Sequence, residues 1–199
     1  DEFCDGKVNI LFVGRLEKRK GLGYLLEAYK QIKQEIPNSR LIIVGPSTRL
    51  RKKYAKWVVQ NGLKDVVFVG YVPYDELPRY YKTADIVCSP ATGRESFGIV
   101  LLEAMAVGKP IVASNIDGYA SLVTHGAEGL LVPPKDEEML ARTLASLMTN
   151  KSLQQQMGAR GRAKALNYGW EQIAQRVFDY YIRVLSEPPW KGRFPNFEN

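Results

Sequence analysis

Two glutamates eight residues apart, Glu95 and Glu103, bracket the stretch of this sequence best suited to chemistry. Between them Ser96, Phe97 and Gly98 open an apolar run that ends at Gly108, where a left-handed glycine can close a helix. The pattern predicts a helix from about Gly98 to Gly108. At 1.5 Å of rise per residue, the two carboxylates would stand about 12 Å apart along its axis. That is about the reach from the sugar of a nucleotide-sugar to its ribose. The diphosphate between them would meet the outward N–H groups and the positive dipole end of the helix. The plainer reading of the same spacing is one surface glutamate and one half-buried helical glutamate.

A second cluster lies upstream, in GRLEKRKG, where Arg15 and Lys20 flank a turn that ends at Gly21. An arginine offers phosphate oxygens a planar fork of donors, and a lysine offers a compact charge. Together they would neutralise a diphosphate without a metal, and no Asp-x-Asp pair or Cys/His cluster is present to hold one. Taken alone, Lys18, Arg19 and Lys20 also read as a solvated basic loop. Other phosphate signatures are missing: no Gly-x-Gly-x-x-Gly follows a strand, and no Gly-x4-Gly-Lys-Ser/Thr occurs. His125, the sole histidine, stands before Gly126 as a cap rather than a base, so no Ser or Cys triad can be assembled from this chain. What is left is a leaving-group site of cations, a helix N-terminus and two carboxylates. Such a site fits glycosyl transfer, in which a nucleoside diphosphate departs, and each preorganised donor is typically worth about 10²–10³ in rate.

These groups need a rigid frame. Val8–Val13 is a short apolar run ended by Gly14, read as a buried strand. Leu25, Tyr29, Ile32 and Ile36 give residues 22–36 a helical face, ended by Pro37. The alternation continues with a strand at 41–44, a helix at 48–60, a strand at 66–69, a short helix from Asp75 and a strand at 85–89. After the central helix come a strand at 110–113, a short helix at 119–125, a strand at 129–132 and helices at 136–148, 151–165 and 170–186. The predicted fold is α/β, a Rossmann-like six-stranded parallel sheet with helices on both faces. Such sheets bind ligands at the carboxyl ends of their strands, near the switch in strand order. Gly14 and Arg15, Gly70 to Val72, and Glu95 all fall on that edge. Residues 1–7 read as a linker or expression remnant, 8–186 as the domain, and 187–199 as an extended tail carrying Trp190, Phe194 and Phe197.

Composition narrows the classes. At 45% hydrophobic residues the chain is globular, and no apolar run approaches the roughly 18 residues that span a bilayer. No N-terminal signal pattern is present. Cys4 and Cys88 lie far apart, so no disulfide and a reducing, cytoplasmic compartment are expected. A net charge of +7 points to an anionic partner. The basic run Arg49, Arg51, Lys52, Lys53 and Lys56 reads as a solvated helix face or as a contact with an anionic membrane surface, which would make the protein peripheral at the inner membrane. No nucleic acid is expected, because aromatic residues are spread evenly and no recognition signature occurs.

GRLEKRKG, FVGYVP, ADIVCSP, ESFGIVLLEAMAVGKPIVAS and EGLLVPPKD, in this order, resemble the nucleotide-sugar-binding half of family 4 retaining glycosyltransferases of GT-B architecture. The likeness covers about residues 8–186, and the ESFGIVLLEAMA segment is most similar to bacterial phosphatidylinositol mannosyltransferases, which use GDP-mannose. The resemblance implies that Arg15 and Lys20, with Arg19 nearby, hold the diphosphate, and that Gly14 lies in the same loop. It implies that Glu95 bonds the hydroxyls of the donor sugar. The Ser96 turn and the N–H groups of Phe97, Gly98 and Ile99 would face that sugar, those near Val100 and Leu101 the phosphates. Glu103 would hold the ribose, and Val72 would line the base pocket. No cofactor or metal is implied. A UDP-glucose or UDP-N-acetylglucosamine donor, or a non-catalytic nucleotide-sugar-binding module, are the alternatives. The family's acceptor half, with its own glycine loop and histidine, is absent here, so the resemblance implies a fragment of a longer enzyme or a separate partner chain.

Overall fold

In the computed structural model, residues 3–186 are described. The strands are β1 (Val8–Val13), β2 (Ser39–Val44), β3 (Val66–Gly70), β4 (Ile86–Ser89), β5 (Ile111–Ser114) and β6 (Gly129–Val132). The helices are α1 (Leu22–Glu35), α2 (Arg49–Gln60), α3 (Leu77–Thr83), α4 (Ile99–Ala106), α5 (Asp117–Ala120), α6 (Glu137–Met148), α7 (Lys151–Ala165) and α8 (Trp170–Ser186). The six strands form one parallel sheet in the order β3-β2-β1-β4-β5-β6. This is the Rossmann-like α/β sheet that the sequence predicts. The order reverses between β1 and β4, where Ile10 pairs Ile86 and Leu11 pairs Val87. The crevice at that reversal is where doubly wound sheets hold ligands.

The strands read as unbroken apolar runs because both faces are covered. On one face Ile10, Phe12, Leu41, Ile43, Ile86, Cys88 and Val112 join Leu22, Leu25, Leu26, Tyr29 and Ile32 of α1 and Leu140, Leu144 and Leu147 of α6. On the other, Leu11, Ile42, Val87 and Ile111 are equally buried, with α3 and α4 packed beside them. Helix starts follow their capping chemistry. The Thr48 hydroxyl accepts from Leu50 N at 3.2 Å ahead of α2, and the Asp136 carboxylate accepts from Met139 N at 2.8 Å ahead of α6.

One expected element is shorter than its pattern. The apolar spacing over 119–125 predicts a helix, but α5 is a single turn over Asp117–Ala120. Leu122 and Val123 are buried from turn backbone instead. His125 pairs with Gly129 in an isolated bridge and its Nδ1 accepts from Leu131 N at 3.0 Å, so it steadies the entry to β6 rather than capping a helix. Ahead of β1, Phe3 is buried, its carbonyl accepts from Asn9 Nδ2 at 3.0 Å, and the Arg40 guanidinium lies 5.3 Å from its ring. The chain divides after Ala165 into two compact units. The second holds a short 3-10 turn at Leu166–Tyr168 and α8, on which Ile173, Val177, Tyr180 and Val184 recur at helical spacing. Trp190, Phe194 and Phe197 lie outside the described residues.

Asp65, at the entry to β3, has a φ of 58° and takes hydrogen bonds from Lys33 Nζ at 2.6 Å and Lys7 Nζ at 2.7 Å. Lys33 first, then Lys7, hold its pKa down at about 2 against an ordinary 3.8. A depressed carboxylate contributes stability above 3.8, which is lost as pH falls through about 2. Asparagine tolerates the same left-handed backbone. Asp65→Asn should therefore cost about 1 kcal/mol at pH 7, less than the full shift because the pairs are part-exposed, and progressively less as pH falls to about 2. Denaturant melts at pH 7 and pH 2 check this, with the smaller loss expected at pH 2; an equal loss at both would place the effect in packing rather than charge.

Candidate functional site

The crevice between β1 and β4 is closed by two loops pressed together. Gly21 has a φ of 77°, and a Cβ on it would sit 1.7 Å from the Pro90 carbonyl oxygen. Only glycine permits that approach. It brings the basic loop after β1 against the loop after β4, and side chains 75 and 76 positions apart in the chain meet there. Lys20 Nζ lies 2.9 Å from the Glu95 carboxylate, and Arg19 Nη1 donates to the same carboxylate. Arg19 Nε also donates to Glu17 at 2.8 Å, and Arg15 lies 3.7 Å from Glu17. The chain Arg15–Glu17–Arg19–Glu95–Lys20 is therefore continuous. Its inner members are covered, with side-chain exposures of 10% for Glu95 and 16% for Lys20, whereas Arg15 is 72% exposed. Gly14 begins the loop, its N–H bonded to Val44 O at 2.9 Å.

The helix expected from Gly98 begins one residue later. Gly98 is its N-cap in the left-handed region, with φ 90° and ψ 55°. The first helical bonds run from Leu101 N and Leu102 N to Gly98 O, at 2.8 and 3.3 Å. The N–H groups of Ile99 and Val100 precede those bonds and point out of the helix end. Leu101 is buried and anchors the first turn, Val100 is half-buried and Ile99 is exposed. Ser96 is exposed and Phe97 half-buried in the turn ahead of it. Glu95 thus sits on the loop, not on the helix. The expected separation of about 12 Å along one helix axis therefore does not hold: only Ile99 to Glu103 is helical, a rise of about 6 Å, and Glu95 lies outside the helix on the turn.

Glu103 points away from the basic network. Its carboxylate accepts from Tyr81 Oη at 2.7 Å and borders a cavity of about 190 Å³ lined also by Tyr74, Leu77, Pro78, Ala106 and Val107. From the β3–α3 loop the cavity takes Tyr74; Val72 is half-buried in the same loop and outside that lining. Burial raises the Glu103 pKa, and the Tyr81 hydrogen bond opposes the shift without cancelling it. Burial first, then the Glu103 charge, push the Tyr81 phenol up, so it stays a neutral donor. An acid with a raised folded pKa favours the fold below its ordinary value of 4.5, and that contribution is lost as pH rises through the folded value. Glu103→Gln, which keeps an acceptor for Tyr81, should match or exceed the parent Tm at pH 7, with the difference closing below pH 4.5. Calorimetric melts across pH check the sign; a loss at pH 7 would mean the ionised carboxylate supports the fold.

Three further residues shape the site without any motif to mark them. A Cβ on Gly118 would lie 1.8 Å from the Glu95 carbonyl oxygen, so α5 directly abuts the Glu95 backbone. Tyr119 is fully buried, with its ring where a Cβ on Gly98 would be 2.8 Å away, and its hydroxyl 2.8 Å from Ser89 Oγ. Burial lifts its pKa to about 12. Together they form the floor under the turn from Glu95 to Gly98. Tyr81 is the third, through Glu103. The sequence signal for Gly118 is only a glycine beside Asp117 in a helical pattern, and for the tyrosines an apolar spacing.

Comparison with known proteins matches residues 2–164 to the family described as glycosyl transferases group 1. The chain is 35% identical over 180 residues to the phosphatidyl-myo-inositol mannosyltransferase of Mycobacterium leprae, covering 89% of this chain and 47% of that one. It thus spans about half the length of the curated relatives it matches. Among solved structures, the sucrose-phosphate synthase of Thermosynechococcus elongatus superposes with a TM-score of 0.82 at 31% identity, over 91% of this chain and 46% of that one. Anabaena HepE, solved in complex with UDP and glucose, superposes with a TM-score of 0.77 at 26% identity, over 92% of this chain and 49% of that one.

Proposed function

Because the chain belongs to the group 1 glycosyl transferases, we propose that it is the donor-binding half of a retaining transferase that moves a hexosyl group, a mannosyl in the first instance, from a nucleoside-diphosphate sugar to an acceptor. The observation that carries this reading is the Arg15–Glu17–Arg19–Glu95–Lys20 network lying on the turn that leads into α4.

In this reading the diphosphate caps α4, accepting from the outward N–H groups of Ile99 and Val100, where the helix dipole favours negative charge. Arg15, exposed at the mouth, and Lys20 clamp its oxygens. Lys20 and Arg19 are held by Glu95 beforehand, so an incoming diphosphate competes with Glu95 for them. As the cations turn to phosphate, the Glu95 carboxylate is released to accept from the hydroxyls of the sugar. Glu103 accepts from the ribose hydroxyls, and Val72 and Tyr74 flank the base. In the transfer step the acceptor oxygen bonds to the anomeric carbon on the face the phosphate leaves. The anomeric carbon–oxygen bond breaks, its electron pair goes to the β-phosphate, and the acceptor proton passes to a phosphate oxygen. The clamp stabilises the charge that appears there. The acceptor comes from the remainder of a longer protein or from a partner chain.

The mannosyl assignment draws on the name of the Mycobacterium leprae relative, and a uridine donor draws on the UDP in the Anabaena structure. A thermal-shift panel of GDP, UDP, ADP and their sugars separates them. The largest stabilisation is expected from GDP and GDP-mannose. Larger shifts with uridine nucleotides would move the donor assignment to UDP-sugars, and no shift with any would overturn the site. Glu103→Gln should weaken the preferred nucleotide by about 1–3 kcal/mol, measured by calorimetry, since a carboxylate is the stronger acceptor for a ribose edge.

A further inference from the structure

On the α1 and α2 side of the Glu95 network lies a cleft of about 550 Å³ whose lining carries five cations and no acid: Lys18, Arg19, Lys53, Arg94 and Lys135. They come from four separate segments, the loops after β1, β4 and β6 and the exposed side of α2. Among the described residues, Lys18, Lys53, Arg94 and Lys135 have no carboxylate within 4.0 Å, and of the five cations only Arg19 is ion-paired. Four unpaired like charges around one concavity repel one another, and that repulsion is relieved by an anion between them.

The backbone gives an independent sign. Only three non-glycine residues among those described have a positive φ, Asp65, Arg94 and Lys135, and two of the three are cations of this cleft. Arg94 sits at 59° and Lys135 at 66°, where a glycine would be unstrained. Strain held by a side chain that makes no ion pair of its own is the kind that clusters where a ligand is gripped.

We propose that this cleft is a second anion site, which takes a phosphate-bearing group distinct from the diphosphate of the donor. Lysine and arginine donors converging from several sides suit a phosphate dianion, with its several strong acceptor oxygens. The volume is within the range of small-molecule pockets and well beyond a bare phosphate, so the phosphate is carried on a larger body. Arg19 belongs to both the cleft and the Glu95 network, which places that body beside the sugar end of the donor site. A soluble phosphate ester and a phospholipid headgroup share this chemistry.

The test compares the full chain with Arg94→Gly/Lys135→Gly, which removes two charges and both strained side chains. Calorimetric titration with inorganic phosphate and with glycerol 1-phosphate, at fixed ionic strength, is expected to show binding weakened at least about tenfold in the variant. Its Tm without phosphate should be equal to or above that of the parent. Nucleoside diphosphate binding should be unchanged, so failure here is distinct from failure of the donor reading. Co-sedimentation with phosphatidylcholine vesicles containing phosphatidylglycerol assigns the source. Parent-only capture that phosphate reverses supports a headgroup, and phosphate binding without capture supports a soluble ester. Equal phosphate affinity in parent and variant, or none in either, overturns the proposal.

Discussion

Glu95→Gln in the full-length transferase is expected to lower kcat by about 10²–10³ while the chain binds nucleoside diphosphate as tightly as before or more tightly. Two opposite consequences follow from one position. Glutamine is nearly isosteric, so the loop from Pro90 to Gly98 keeps its course, but the charge that draws in Lys20 at 2.9 Å and Arg19 is gone. Those two cations then meet a diphosphate without first leaving a carboxylate. In the proposed site the sugar hydroxyls, in turn, lose their charged acceptor, and a charge-assisted hydrogen bond is about twice as strong as a neutral one. Steady-state kinetics on the full-length protein and calorimetry on the domain read the two effects separately. Parallel losses of kcat and nucleotide affinity would show that Glu95 grips the nucleotide rather than the sugar.

Gly118→Ala is expected to have the next largest effect, a fall of about 10²-fold in kcat, although residue 118 touches no ligand in the proposed site. Its Cβ would lie 1.8 Å from the Glu95 carbonyl oxygen, 2.6 Å from the carbonyl carbon and 3.0 Å from Ser96 C. These are backbone atoms, which cannot rotate away, so α5 or the Glu95 turn must move. A displacement near 1 Å at a group that orients substrate is enough for a loss of that size. Overpacking of this sort also lowers stability by about 1–3 kcal/mol. The discriminating readout is the split: kcat should fall further than nucleoside diphosphate affinity, because Glu95 lies on the turn itself whereas the ribose contact through Glu103 lies on α4. Parental kcat in the Gly118→Ala enzyme would mean that the turn does not set the position of Glu95.

Much of the frame is readable from residue order. Strands buried on both faces show as apolar runs, and Gly14, Gly45 and Gly70 end β1, β2 and β3 where loops must leave the sheet. The basic loop and the glutamate pair stand out by residue type, which marks them as candidates, and the structure brings the loop to Glu95 but not to Glu103. The helix expected from about Gly98 starts at Ile99, and only the structure shows that Gly98 serves as its left-handed cap rather than its first residue. The turn at 119–125 misleads because Leu122 and Val123 are buried at helical spacing without being helical. The pairing of Glu95 with Arg19 and Lys20 joins residues 76 and 75 positions apart, and no local period encodes it. Gly118 and Tyr119 are invisible for a similar reason, since their role is a steric contact across the sheet edge. The left-handed Arg94 and Lys135 are likewise a backbone property that residue types disfavour.

The proposed donor site depends on a diphosphate seated at the start of α4. Titrating the ¹⁵N-labelled chain with the preferred nucleoside diphosphate and following its amide resonances tests this most directly. Saturating binding is expected to move the Ile99 and Val100 amides furthest, with Gly98 and Leu101 beside them and Lys20 in the facing loop. Saturable binding that leaves the Ile99 and Val100 amides in place would contradict it.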